Sequence, residues 1–165
     1  MTIVIKRIET EKEIKERAYI HWSSWREAYK GIINQSFLDN LLLKDFEAKV
    51  QNEIDTTFIA KDGEHVAGFV YYCKCRDNDL QNFGEVGGIY ISSDYYGQKV
   101  GYQLMQAALE QLKMYPHVAL WVLKENERAI TFYKKCGFNF DGVEKTLNLV
   151  SPVIEVRMIA KNPFC

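Results

Sequence analysis

Apolar and polar positions along the chain change period several times, and each change marks an element. Thr2 to Arg7 alternates as a strand, and Thr10 to Tyr29 carries the three- and four-residue spacing of a long helix that breaks at Gly31. A second helical region is predicted from Ser36 to Ile54, with Ser36 as N-cap and Phe37, Leu38, Leu41, Leu42 and Phe46 behind it. Strands follow at Thr57 to Lys61 and His65 to Cys75, joined by an Asp62-Gly63 hairpin turn. Polar Arg76 to Gln81 reads as a loop. An alternating run from Glu85 to Ile91 then leads through a polar turn into an amphipathic helix, Gln98 to Tyr115, which Pro116 ends. Beyond it lie a strand at Val118 to Leu123, a helix begun by Asn126, and strands at Asn139 to Leu147 and Pro152 to Ala160. This order predicts an α/β (α+β) domain with a mixed sheet flanked by helices.

Composition adds boundaries. A chain of 165 residues with 47% hydrophobic content, no repeat and no linker is expected to form one domain over residues 1–165. A net charge of −1 gives no broad electrostatic reason to bind nucleic acid or an anionic membrane. No hydrophobic signal core opens the chain and no long apolar run crosses it, so a cytoplasmic protein is expected. Cys73, Cys75, Cys136 and Cys165 form no zinc pattern and lie far in sequence from every His; reduced thiols, no metal and no cysteine nucleophile are expected.

Two constellations carry chemistry. In Leu120 to Phe138, the side chain of Asn126 can accept from the opening amides of a helix whose apolar face is Ala129, Ile130, Phe132, Tyr133 and Cys136; Gly137 supplies the left-handed residue that stops it. Taken singly, Asn126 is also a plain cap and Tyr133 a core aromatic. The second constellation is the strand–turn–helix around Tyr96 to Tyr102. Helix N-termini present unpaired amides and partial positive charge, so phosphates bind there, and Gly97 and Gly101 would let a pyrophosphate approach the backbone.

Over most of its length the chain resembles the GNAT superfamily of acetyl-CoA-dependent N-acetyltransferases. The downstream pattern is reproduced in Asn126, Arg128, Ala129, Ile130, Phe132, Tyr133, Lys134, Gly137 and Phe138. At the turn, Tyr96 and Lys99 depart from the family pattern and Gly101 fits it. The resemblance implies a mostly antiparallel mixed sheet of six to seven strands with about four helices, in which the Glu85–Ile91 and Val118–Leu123 strands splay into a coenzyme A cleft. It implies pantetheine along Ile89, Tyr90 and Ile91, and diphosphate on the turn of Tyr96, Gly97, Gln98, Lys99, Val100, Gly101 and Tyr102. Asn126 would hold pantetheine or orient a water. Tyr133 would protonate the departing sulfur and the Ile91 amide would polarise the thioester carbonyl. Glu85, eleven residues before Tyr96, where some histone acetyltransferases of the family carry a catalytic Glu, would be the base. The alternatives are a carboxylate that only solvates a strand end and deprotonation through water, while the base position of other branches is occupied here by Trp121. Lys99 has two readings: with helical dihedrals its ammonium adds a phosphate contact, and with positive φ it costs about 1 kcal/mol or more.

On the acceptor side, HWSSWREAYKGIINQSFLDNL is similar to the acceptor helices of small-molecule acetyltransferases, including polyamine and phosphinothricin types. Trp25 and Tyr29, with Trp22, would wall an amine pocket by cation–π contact, or else form an aromatic core stripe; Glu27 or Asp39 would meet a cationic substrate. The implied function is acetyl transfer from acetyl-CoA to a primary amine of a small, polyamine- or amino-acid-like molecule by direct attack, in a protein that forms homodimers if it follows the family habit. The alternatives are a degenerate coenzyme A-binding or regulatory module and an enzyme acting on protein N-termini or lysines.

Overall fold

The first helix shows how closely local chemistry sets the architecture. In the computed structural model, which describes residues 1–165, strand β1 (Ile3–Arg7) turns at Thr10 into helix α1 (Glu11–Ala28). The Thr10 hydroxyl accepts from the Glu13 N–H at 3.2 Å while the Glu13 carboxylate accepts from the Thr10 N–H at 3.2 Å, a reciprocal capping box.

The region expected as one helix from Ser36 to Ile54 is two: α2 (Gln35–Asp39) and α3 (Leu43–Glu53). Asn34, not Ser36, is the cap, its side-chain oxygen accepting from the N–H groups of Ser36 and Phe37. The Asn40 amide donates to Ser36 O at 2.7 Å and closes the short helix before α3 begins.

Strands β2 (Thr57–Asp62), β3 (His65–Lys74) and β4 (Phe83–Ile91) form a meander, with Gly63 at φ 57° in the β2–β3 turn. Helix α4 (Val100–Gln111), strand β5 (His117–Leu123), helix α5 (Glu127–Lys135) and the hairpin β6 (Asn139–Leu149) and β7 (Ser151–Lys161) complete the chain. The seven-stranded sheet runs β1-β2-β3-β4-β5-β7-β6, antiparallel except between β4 and β5. Helix α4 is shorter than the 98–115 expected. It starts late because Gly97 (φ 76°) and Lys99 (φ 61°) are left-handed, and it ends early because the Asn162 amide takes the carbonyls of Leu109 and Leu112.

Leu104, Met105, Ala108 and Leu109 of α4 bury one sheet face together with Tyr133 and Phe138. Each large side chain so buried stabilises the fold by roughly 1.5–3 kcal/mol. Helices α1 and α3 cover the other face through Ala18, Ile20 and Val50 against Ile59 and Phe69. On this second face, Arg157, only 4% exposed, pairs with Asp79 and Asp141 at 2.7 Å and with Asp77 at 3.2 Å, tying the β3–β4 loop to the β6–β7 hairpin. No helix is long and apolar enough to cross a membrane, and all four cysteines are free thiols.

The sheet opens where function is expected. Tyr71 pairs with Gly88 and Tyr72 with Val86, so Gly87 is an extra residue in β4, and a Cβ there would overlap the Tyr71 ring. Parallel pairing of β4 with β5 is confined to Phe83, Gly84 and Glu85 against His117, Val118 and Ala119. Because the Ser92 N–H bonds to Ala67 O, the antiparallel alternation pairs Tyr90 with Phe69 and turns the N–H and C=O groups of Ile89 and Ile91 away from β3, into the gap toward β5.

Candidate active site

The gap is a cleft of about 810 Å³ that runs from the turn before α4, between β4 and β5, to the face covered by α1. Its cofactor end is made of backbone. Gly97 and Lys99 alternate in left-handed conformation with their neighbours, and none of the N–H groups from Gly97 to Tyr102 is bonded within the protein. Successive free amides at a helix start form a concavity for anionic oxygens, which is what a diphosphate requires. The two glycines differ in purpose. Gly97 has open space around it, whereas a Cβ on Gly101 would sit 3.2 Å from Phe132 Cζ, so Gly101 lets α4 approach α5.

Lys99 is therefore in the strained case of the two foreseen, at a cost of about 1 kcal/mol. Its backbone nonetheless has the shape a glycine would give, and its exposed side chain lines the cleft. Tyr96 carries no charge, but the Arg128 guanidinium stacks 3.4 Å from the centre of its ring and brings a cation to the same turn. Lys99→Gly is expected to keep the turn, weaken acetyl-CoA binding about threefold to tenfold and flatten its salt dependence, read by titration at two ionic strengths; tighter binding would mean that the side chain obstructs the site.

Tyr133 projects from α5 into the middle of the cleft. It is 7% exposed, packs against Phe132 and Phe138, and its hydroxyl has no hydrogen-bond partner in the protein. Burial, reinforced by Tyr90 and Cys136, pushes the phenol above its ordinary range, so it keeps its proton at neutral pH. Asn126 caps α5 through its side-chain oxygen, which accepts from the Ala129 N–H at 3.2 Å, and its amide nitrogen is left to donate into the cleft.

Glu85 is not a solvated strand end: it is 3% exposed and lines the cleft beside β5. Its carboxylate accepts from the Arg76 backbone N–H at 3.0 Å, from Nε at 3.2 Å and from Nη2 at 2.6 Å. The bonds to Glu85 hold the Arg76 guanidinium well above its ordinary range.

At the far end, Trp25 of α1 and Tyr29, the residue that caps its C-terminus, both line the cleft and both bond to the Tyr90 hydroxyl, at 3.1 and 3.3 Å. Tyr90, expected along the cofactor, lines the cleft with its side chain packed against His21 and Trp25 of α1, while its backbone groups face Phe69 of β3. Trp22 lies outside the lining, its indole donating to Leu41 O at 2.9 Å; Glu27 and Asp39 are outside as well, and Asp39 accepts from Gln35. The sequence reading missed Arg17 and His21, which lie respectively two turns and one turn before Trp25 on the same face of α1. Their four-residue spacing toward Trp25 was the available signal. Burial, then the charges of Arg17 and Lys49, push the His21 imidazole down to about 2. The neutral ring therefore accepts at Nδ1 from Arg17 Nη1, 3.4 Å away.

Known proteins resemble the chain in sequence and in fold. The family model described as Acetyltransferase (GNAT) family matches residues 15–138. The uncharacterized N-acetyltransferase YuaI of Bacillus subtilis is 30% identical over 127 residues, covering 74% of this chain and 73% of that protein. Among solved structures, the PaiA N-acetyltransferase of Thermoplasma acidophilum in complex with coenzyme A aligns at a TM-score of 0.78 and 21% identity, over 98% of this chain and 99% of that one. The ribosomal-protein-S18-alanine N-acetyltransferase of Escherichia coli aligns at 0.67 and 17% identity, over 98% and 94%. The free amides of the turn and the splayed strands suit the coenzyme that the first of these structures holds, and with the family match they place the chain in the GNAT family of acetyltransferases, as an enzyme that draws its acetyl group from acetyl-CoA.

Proposed function

We propose that the enzyme acetylates a primary amine of a small molecule, polyamine- or amino-acid-like, by direct attack, with Tyr133 as general acid and Glu85 as general base. Acetyl-CoA supplies an activated thioester whose sulfur needs a proton on departure. The observation that carries this reading is Tyr133: a buried phenol, kept protonated, with no partner in the protein and the cleft in front of it. Amides of Gly97 to Tyr102 hold the diphosphate, the backbone of Ile89 and Ile91 orients the pantetheine arm, and the Ile91 N–H supports the carbonyl oxygen as charge develops on it. Asn126 donates from its side-chain nitrogen to the arm or to a water. Trp25 and Tyr29 wall the acceptor end, which favours a small molecule over a protein tail.

Glu85 takes the proton of the incoming ammonium. Three bonds from Arg76 leave the carboxylate lone-pair capacity for one more donor. Glu85→Gln is expected to lower kcat/KM about 100-fold near neutral pH. An unchanged kcat/KM would move the base to a water chain.

A further inference from the structure

Charge is unevenly distributed along the cleft, and its acceptor end is arranged against a polycation. Three carboxylates line the whole cleft, those of Glu53, Glu85 and Glu155, and each is already held by a cation. Glu85 is bonded by Arg76, and Glu155 pairs with Lys145 at 3.4 Å. Glu53 is held twice, by Arg17 and, at 3.8 Å, by Lys49. A polyamine entering here would find no free carboxylate, and one positive charge would already stand in excess.

The excess charge has a buried source. Arg17 is 0% exposed, lines the cleft, and lies with its guanidinium 3.9 Å from the centre of the Phe69 ring. Its two terminal nitrogens bond to His21 and Glu53, and its Nε is closed off from solvent and has no hydrogen-bond partner. A buried N–H of a cation left unbonded is costly, and an anionic oxygen is the partner that best relieves it. Tyr71 lies within electrostatic reach of Arg17, Glu53 and Arg76, fixed over the Gly87 bulge. Burial and the neighbouring Cys73 push its phenol up to about 12, so it remains a neutral hydrogen-bond donor.

We infer that the acceptor is an amino acid-like molecule, one amine together with a carboxylate, and that the Arg17, Lys49 and Tyr71 end of the cleft binds the carboxylate. The inference rests on the proposed transfer to a small amine and narrows it: the positive groups take the acid of the acceptor and leave the amine directed toward Glu85 and Tyr133. A polyamine lacks the group these residues recognise and adds charges they repel.

The test compares matched amines that differ by one carboxylate. Arginine, lysine, ornithine, methionine, phenylalanine and tryptophan are each assayed beside the decarboxylated amine, together with spermidine, by free-thiol release from acetyl-CoA. At least one amino acid is expected to exceed its own amine about 100-fold in kcat/KM, the loss that follows from leaving a charged site unpaired. Lys49→Gln, on the exposed side of α3, should raise KM for that amino acid about fivefold and leave kcat and the KM for acetyl-CoA unchanged. Equal or faster turnover of the amines or of spermidine overturns the inference and leaves acetyl transfer to small amines standing. Acetyl-CoA binding without turnover of any compound of the panel also overturns it. Failure to bind acetyl-CoA at all overturns the proposed function itself.

Discussion

Tyr133→Phe is expected to lower kcat by one to two orders of magnitude, about 10-fold to 100-fold, while the Kd for acetyl-CoA changes less than about threefold. The asymmetry follows from what the substitution removes. The hydroxyl makes no hydrogen bond within the protein, so its loss leaves no stranded partner, and the ring keeps its packing against Phe132 and Phe138. Only the proton is lost. Because burial raises the phenol above its ordinary value of about 10, the wild-type enzyme should show no loss of activity from Tyr133 ionisation anywhere below that pH. Steady-state kinetics with the best acceptor, alongside calorimetric titration of both proteins, separates the two quantities. A variant with unchanged kcat would reject Tyr133 as the acid, and one with lost affinity would make it a binding residue.

Arg17→Ala should destabilise the fold by about 3–5 kcal/mol, because it leaves the nearly closed Glu53 carboxylate with only the 3.8 Å pair to the exposed Lys49. Much of the loss is expected to return in the double variant Arg17→Met with Glu53→Leu, which removes both charges and keeps the volume. Denaturant unfolding of the three proteins decides. A single variant as stable as the parent would mean that water or Lys49 already satisfies Glu53. The same region sets a pH dependence. His21 is held at about 2 when folded, so as pH falls below about 6.5 the unfolded chain takes up a proton that the folded chain does not. Stability from His21 is complete above that point and is lost progressively toward the folded value.

The donor half of the site was legible because its signals are local. Asn126 caps the helix whose apolar face holds Tyr133, and Gly137 ends it at φ 96°, as a cap, a period and a stop signal predict within a dozen or so residues. The meander was readable for the same reason, although its first turn lies one residue later than expected: Asp62 pairs with His65, which leaves Gly63 and Glu64 as the turn. What failed were contests between neighbours of similar propensity. Asn34 rather than Ser36 caps α2, and the choice depends on a side-chain oxygen reaching two amides at once. Lys99 adopts a conformation its residue type disfavours, so α4 starts later than its apolar period suggests.

The acceptor half was hidden for a different reason. Arg17 meets Glu53 across 36 positions, and Trp25 meets Tyr90 across 65. No window of sequence contains both partners. Glu85 was foreseen as a candidate from the resemblance alone, but its clamp by Arg76 depends on the loop after β3 folding back onto β4. The aromatic stripe of α1 was read as either wall or core, and Trp25 and Tyr29 are both: they line the cleft and anchor its floor through Tyr90.

Calorimetric titration of the purified protein with acetyl-CoA, with coenzyme A as comparison, tests the account most directly. The free amides from Gly97 to Tyr102 and the cations of Lys99 and Arg128 predict micromolar binding that weakens as salt rises. No binding at millimolar acetyl-CoA would contradict the account and leave a GNAT fold that has lost its coenzyme.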